Sequence, residues 1–283
     1  MKHTIKILFV SIGIILGIFS HTDVKAASQK SWQSVYVEHI SSSDTDFIHY
    51  VKYGKISIAR CYDKLYVKNG DINKKVKIKP AYLTFGGVIT NGKDVMYQYG
   101  KNIYLLKNLR TKIKVATLKS RKNIFLGKYG NSIIYGKQND YDGFIMYKFN
   151  LKSKKITNLN LKNGFYLKNN YIVYNGQFHE GVYTEIRVYN LKNKKNFLLD
   201  KKGVFGVSAV IDNGNVYYVK KLNDTTNKNK IVKYNIKTKK KTVIKKNVKD
   251  AIFMVNPNHY YYSDEKYIYF CDIKSEKKVK YLL

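Results

Sequence analysis

From residue 46 onward the chain is written in short apolar runs, rich in β-branched and aromatic residues and bounded by Asn, Gly or Lys. "SIIYGK", "FIMYKFNL", "YIVYNG", "EIRVYNL", "NVYYVKK" and "KIVKYNI" are six of these, and several alternate apolar and polar positions with period two. That period sends successive side chains to opposite faces of a pleated strand. No window of 11 or more residues past residue 26 carries the apolar stripe of a helix. Tyr, at 27 of 283 residues, suits strands whose rings pack while their hydroxyls reach water. The two prolines, Pro80 and Pro257, are expected in turns between repeating units, where a missing N–H harms no ladder.

The runs recur with a period. "YKFNLKSKK", "RVYNLKNKK" and "VKYNIKTKK" each place an aromatic residue and Asn before an aliphatic residue and a run of lysines. Aligned on that Asn or its Asp equivalent, the phrase falls at Asp71, Asn108, Asn150, Asn190, Asn235 and Asp272, in steps of 37, 42, 40, 45 and 37 residues. A second landmark, an Asn- or Gly-rich turn followed by a strand ending in Tyr, recurs at Tyr97, Tyr135, Tyr174, Tyr218 and Tyr262. Two landmarks sharing a period near 40 define six units over residues 46–283. Each unit reads as four strands, a to d; in the fourth these are "GFYLK", "YIVYNGQ", "TEIRVYNL" and "KNFLLD". Four antiparallel strands in about 40 residues are the sequence sign of a propeller blade, and a lone blade cannot bury both faces. The expected fold is therefore all-β: a six-bladed β-propeller with boundaries near residues 81, 121, 162, 203 and 248. Residues 27–45 form a further segment whose "SVYVEHI" either pairs at the ring closure or caps an edge.

The units resemble those of secreted bacterial six-bladed propellers of the TolB-like and low-density-lipoprotein-receptor-like type, whose repeats often end in a Tyr-Asn-Leu-Lys-x-Lys-Lys phrase. The resemblance implies a fold and brings no catalytic residues with it. The Tyr-Trp-Thr-Asp box of the receptor type is missing, since Trp32 is the only Trp and precedes the repeats. The Trp-Asp dipeptide is missing too, and the kelch double glycine occurs once, at Gly86-Gly87.

The opening "MKHTIKILFVSIGIILGIFSHTDVKA" has the parts of a secretory signal. Lys2 and Lys6 precede an apolar core of 13 residues, and Val24-Lys25-Ala26 sets up cleavage after Ala26. That core is short for a span, which needs about 20 residues; an uncleaved anchor is the alternative. The expected location is secreted or envelope-associated. Cleavage would remove Lys2, Lys6, Lys25 and Asp23, leaving 50 basic and 18 acidic residues, a net charge of +32. Such a surface attracts anionic wall polymer, anionic lipid and nucleic acid. For an exported chain, wall polymer or a membrane surface is the expected partner, with an envelope or secreted protein as a further one. Nucleic acid is not expected, and the chain is expected to be a monomer. Cys61 and Cys271 are the only cysteines; they make no framework and no zinc site, and a bridge between them stays open.

The repeated phrase sits between strands c and d, where Asn favours turn geometry and the lysines stay solvated. In an antiparallel meander the a–b and c–d turns share one end. The phrase should therefore build a basic face, with Lys154, Lys155, Lys194, Lys195, Lys239 and Lys240 as the candidate polyanion-binding residues. The other end is where the units differ. The b–c loops "GKQNDYDGF", "NGQFHEGVY" and "KLNDTTNKNK" hold Asp140, Asp142, His179, Glu180 and Asp224, the candidate ligand-binding residues. Asp140, Asp142 and Glu180 also suggest the alternative function, a carbohydrate-active hydrolase or lyase. No catalytic residue, metal site or cofactor is assigned. "GVITNGKD" has the glycines and lysine of a phosphate loop, but Asp94 stands where Ser or Thr is required.

Overall fold

The structure is a computed structural model. It describes residues 32–35, 51–61, 63–78, 87–138, 143–179, 183–203, 209–221, 228–248, 253–263 and 267–282. Residues Trp32–Leu283 form one compact unit. The described residues contain strands and turns and no helix.

Among the described residues, β1 (Gln33–Ser34) precedes 24 further strands that run as six antiparallel meanders of four. The first holds β2 (Val51–Tyr53), β3 (Ile56–Cys61), β4 (Lys64–Asn69) and β5 (Ile72–Lys77). The second holds β6 (Val88–Thr90), β7 (Val95–Tyr99), β8 (Asn102–Lys107) and β9 (Thr111–Thr117). The third holds β10 (Ile124–Tyr129), β11 (Ser132–Gln138), β12 (Phe144–Asn150) and β13 (Ile156–Lys162). β14 (Gly164–Lys168), β15 (Tyr171–His179), β16 (Tyr183–Asn190) and β17 (Asn196–Gly203) make the fourth. β18 (Ala209–Asp212), β19 (Asn215–Lys221), β20 (Asn229–Asn235) and β21 (Lys241–Val248) make the fifth. β22 (Phe253–Asn256), β23 (His259–Ser263), β24 (Tyr267–Asp272) and β25 (Lys278–Leu282) make the sixth. First strands of successive units touch one another from β6 through β22, so they are the inner strands.

The core is distributed between units. Five buried clusters each join one meander to the next, from the first and second through to the fifth and sixth. This explains the unbroken apolar runs of the second strands. Ile133 of β11 packs towards the second unit and its neighbour Ile134 towards the fourth. Burial falls off outwards: β6 is buried throughout, whereas β5, β9 and β21 are largely exposed and lysine-rich. Charge on an outer edge strand opposes edge-to-edge pairing with a second molecule.

The phrase is written on a ladder of Tyr pairs. Tyr97 stacks on Tyr104, Tyr135 on Tyr147 and Tyr262 on Tyr269, each pair directly opposite on strands b and c. Tyr97 is buried, and its hydroxyl has no hydrogen-bond partner among the described residues. Burial first, and Tyr104 second, push that phenol up to about 12.

β1 pairs antiparallel with both β6 and β14 and touches β10. The described part of residues 27–45 thus sits among inner strands of units two to four, with Ser34 and Val35 buried. It is hydrogen-bonded on both sides. Val35 N–H donates to Val88 O at 3.1 Å, and Ser34 Oγ accepts from Leu167 N–H at 2.9 Å. β1, together with the Gly203–Lys220 pair, joins units two, four and five into one 13-stranded sheet.

Two expectations need correction, and one open question is answered. Pro257 lies inside the sixth unit, in the turn between β22 and β23, and not between units. Cys271 is a buried free thiol, so the bridge to Cys61 is not made. The long b–c loops are shorter than the sequence suggested, because strand takes up part of each. β15 runs on to His179, absorbing the additional residues in an irregularity between Asn175 and Phe178.

Candidate functional site

The turns between third and fourth strands are built alike in units three to six. The Asn or Asp that ends the third strand closes a ring of backbone bonds with the residue five places on. Asn150 N–H donates to Lys155 O at 2.9 Å, Asn190 to Lys195 at 2.9 Å, Asn235 to Lys240 at 3.0 Å and Asp272 to Lys277 at 3.0 Å. The side-chain oxygen of the same residue caps the turn from inside. Asn150 Oδ1 accepts from the amides of Lys152 and Ser153 at 2.9 and 3.0 Å. Asp272 Oδ1 accepts from Lys274 and Ser275 at 2.9 and 2.7 Å. This is the local hydrogen bonding for which Asn and Asp are favoured in turns.

The aliphatic residue after the Asn or Asp ties this turn to the one between first and second strands. Leu151 donates to Asn131 O, Leu191 to Asn170 O, Ile236 to Gly214 O and Ile273 to Asn258 O, at 2.7 to 2.9 Å. Both turns of a unit therefore lie at one end. Neighbouring units present the same end: Lys168, closing β14, pairs at 2.7 Å with Asp212, closing β18. Gly54 and Gly92, both at positive φ, bring the corresponding turns of the first two units into backbone contact, with Lys55 N–H donating to Gly92 O at 3.0 Å.

The lysines point out of this end. Lys154, Lys194 and Lys239 each occupy the left-handed position of their turn at φ 58, as does Glu276 in the sixth unit. Lys154, Lys155, Lys194, Lys195, Lys239 and Lys240 are all exposed, and none forms an ion pair with a described acid. Units one and two close with shorter turns, at Gly70 and at Asn108-Leu109, where the backbone is again left-handed. Arg110, Lys74 and Lys75 are exposed beside them.

Among the described acids, Asp200 and Glu185 are occupied away from this end, in contacts that the sequence did not flag, whereas Asp71, Asp94, Asp212, Asp272 and Glu276 stand in or beside its turns. Asp200 is buried between units four and five, 3.0 Å from Lys220 Nζ and 3.6 Å from Lys241 Nζ, and accepts from Tyr218 OH at 3.1 Å. Burial would raise its carboxyl, but Lys220, the Lys202 amide and Lys241 outweigh burial and hold it low. Glu185, also buried, accepts from Arg187 Nε at 2.6 Å. Tyr174, opposite Arg187 in the ladder, accepts from Asn196 Nδ2 at 2.5 Å, extending the network across the fourth unit. Two acids do stand at the lysine end of unit six. Asp272 is held low by its Ser275 hydrogen bonds and Glu276 by Lys245. The only available sign of these pairs was the scarcity of acids, which pairing across units obscures.

Asp140, Asp142, Glu180 and Asp224 lie outside the described residues. His179 ends β15 opposite Tyr183, and its side chain is outside the description. Among the described residues no group of three or more His, Cys, Asp or Glu could hold a metal ion, and no helix is long and apolar enough to cross a membrane.

No protein-family model matches the chain, and no curated protein matches it. Solved structures do. An oligogalacturonate lyase in complex with manganese matches with a TM-score of 0.50 at 9% identity, over 87% of this chain and 84% of that one. With the repeated four-stranded meanders, that likeness settles the fold class. The fold is a β-propeller. TolB from Acinetobacter baumannii matches with a TM-score of 0.49 at 13% identity over 77% of this chain, which spans 60% of that TolB chain. AztD from Citrobacter koseri matches with a TM-score of 0.45 at 12% identity, over 89% of this chain and 95% of that one. At these identities the likeness of the propeller is one of fold alone.

Proposed function

We propose that the chain is an exported six-bladed propeller that binds without catalysis, holding anionic cell-envelope polymer on its lysine-turn face and a ligand or protein at the opposite loop face. One observation carries this reading. The same turn, built at least four times at one end of the fold, stands its lysines in solvent, and Lys154, Lys155, Lys194, Lys195, Lys239 and Lys240 form no ion pair with a described acid. Lysine is a compact, strongly hydrated point charge; it attracts phosphate or carboxylate without demanding the paired geometry of an arginine fork. Such a face reads charge density and is weakened by salt. Export rests on the leader-like residues 1–26. The experiment is a pull-down of purified protein against cell wall, membrane vesicles and secreted protein at low and high salt. Salt-sensitive retention by wall supports the reading, and retention by none of the three removes it.

A second reading has one specific observation behind it. The connections carrying Asp140, Asp142 and Glu180 join β11 to β12 and β15 to β16, the same end of adjacent units. A carbohydrate-active hydrolase or lyase would need acids gathered at one end, and a similar fold is found in an oligogalacturonate lyase. Turnover on a panel of polysaccharides, lost on replacing these acids with Asn and Gln, would establish it against the binding reading.

A further inference from the structure

The turns of units three to six are alike in backbone and unlike in charge. Residues 150–155, 190–195 and 235–240 each hold three lysines and no acid, a charge of +3 per turn. The same stretch of unit six, residues 272–277, sets Asp272 and Glu276 against Lys274 and Lys277 and sums to zero. Glu276 stands at the left-handed position that Lys154, Lys194 and Lys239 fill in the other three. It pairs with Lys245 of β21, which closes the basic run on that side. On the other side the turns are shorter. Asp71 lies in the turn of unit one, and Asp94 caps that of unit two beside Arg110, accepting from the Asn108 amide at 2.8 Å. The turns between first and second strands of units three to five hold one acid, Asp212, and Lys168 takes it at 2.7 Å.

We infer that the polyanion site is an arc over units three to five, and that its occupant is a linear polyanion long enough to lie across three turns at once. The inference rests on the polyanion reading above and says which anions that surface takes: chains with charge repeated along one strand, in preference to single anions. The three units are consecutive and joined by buried clusters, so their turns hold fixed places. Packed sheets stand about 10 Å apart, so three successive turns span about 20 Å or more. A small anion at one turn meets three lysines, whereas a chain laid along the arc meets three such sets. The second and third sets are then engaged at the high effective concentration that a shared strand provides. Beyond the arc, the acids in the turns of units one, two and six oppose the same chain with like charge and bound the contact.

The test is titration of the full chain with tripolyphosphate and with long-chain polyphosphate across a salt series. Per phosphate, the long chain should bind about 100-fold more tightly or better. Reversal of one lysine at the same place in each turn maps the arc. Lys155→Glu, Lys195→Glu and Lys240→Glu should each flatten the log–log salt slope for the long chain by about 0.7 or more. Lys277→Glu, at the equivalent exposed position of unit six, should leave slope and affinity as they are. Asp272→Asn with Glu276→Lys gives unit six the charge of its neighbours and should steepen the slope by about 0.7 or more. Equal losses from Lys277→Glu and Lys195→Glu overturn the arc, and so does tripolyphosphate binding as tightly per phosphate as the long chain. In either case polyphosphate still binds, and the polyanion reading stands without the arc. Binding of neither probe removes both.

Discussion

Replacing Asp200 with Ala should open the seam between the fourth and fifth units, and its cost can be worked from the contacts. The carboxylate is 7% exposed and takes hydrogen bonds from Lys220 Nζ, Tyr218 OH and the Lys202 amide at 3.0, 3.1 and 3.3 Å. Truncation leaves the fully buried Tyr218 without its acceptor, which costs about 1–3 kcal/mol. Loss of the charge pair adds less than the 3–5 kcal/mol of a fully buried pair, because Lys220, 35% exposed, regains water. The expected total is about 2–4 kcal/mol at neutral pH. Sign and pH follow from the lowered carboxyl. A group held below its ordinary value stabilises the fold above that value, near 4 for Asp, and loses the contribution as pH falls through the folded one. Urea unfolding followed by circular dichroism should therefore show a wide gap between wild type and Asp200→Ala at pH 7 that narrows towards pH 3. Tyr218→Phe, which removes the hydroxyl together with its need for a partner, should cost only about 1 kcal/mol. A gap below about 0.5 kcal/mol at pH 7, the range of ordinary surface substitutions, refutes the reasoning. A gap that persists unchanged into acid refutes it as well.

Further outcomes are expected. Lys154→Glu, Lys194→Glu and Lys239→Glu together should weaken polyphosphate binding by about 100-fold or more near 0.1 M salt. They should barely shift the melting temperature, since Glu276 already occupies the same left-handed position in the sixth turn. Tyr97→Phe should raise stability by about 1 kcal/mol in urea titrations, because it removes a buried hydroxyl that lacks a partner. Gly203→Ala should lose about 1–3 kcal/mol, as its Cβ would collide with Ile186 and sit 2.8 Å from Thr184 O. In an Ile186→Ala background, which lacks both clashing carbons, Gly203→Ala should cost less, and that coupling would confirm the collision.

The fold class was legible because one structural unit is written several times. The period in Asn150, Asn190 and Asn235 marks a turn whose geometry the side chain itself enforces, so the signal is local and strong. The apolar runs were legible as strands, though their ends were not. Phe178 and His179 looked like loop because Gly and polar residues interrupt the alternation ahead of them, and yet a backbone irregularity carries the strand onward. Residues 33–34 were beyond reading: two residues show no period, and their pairing with Ile89, Thr90 and Lys168 is set by distant chain. The lysine turns could be placed from sequence because strand topology alone decides which end a turn occupies. Asp200 could not, since its partner Lys220 sits 20 residues on in the next unit, with nothing regular in that spacing.

Salt dependence of binding is the most direct test of a lysine-turn face. Affinity of the full chain for polyphosphate, measured by titration across a salt series, should fall on a log–log plot with a slope of about −2 or steeper, as for three or more lysine contacts. The variant with Glu at 154, 194 and 239 should flatten that slope by about two. A wild-type slope near zero, or a variant with the same slope and affinity as wild type, would contradict it.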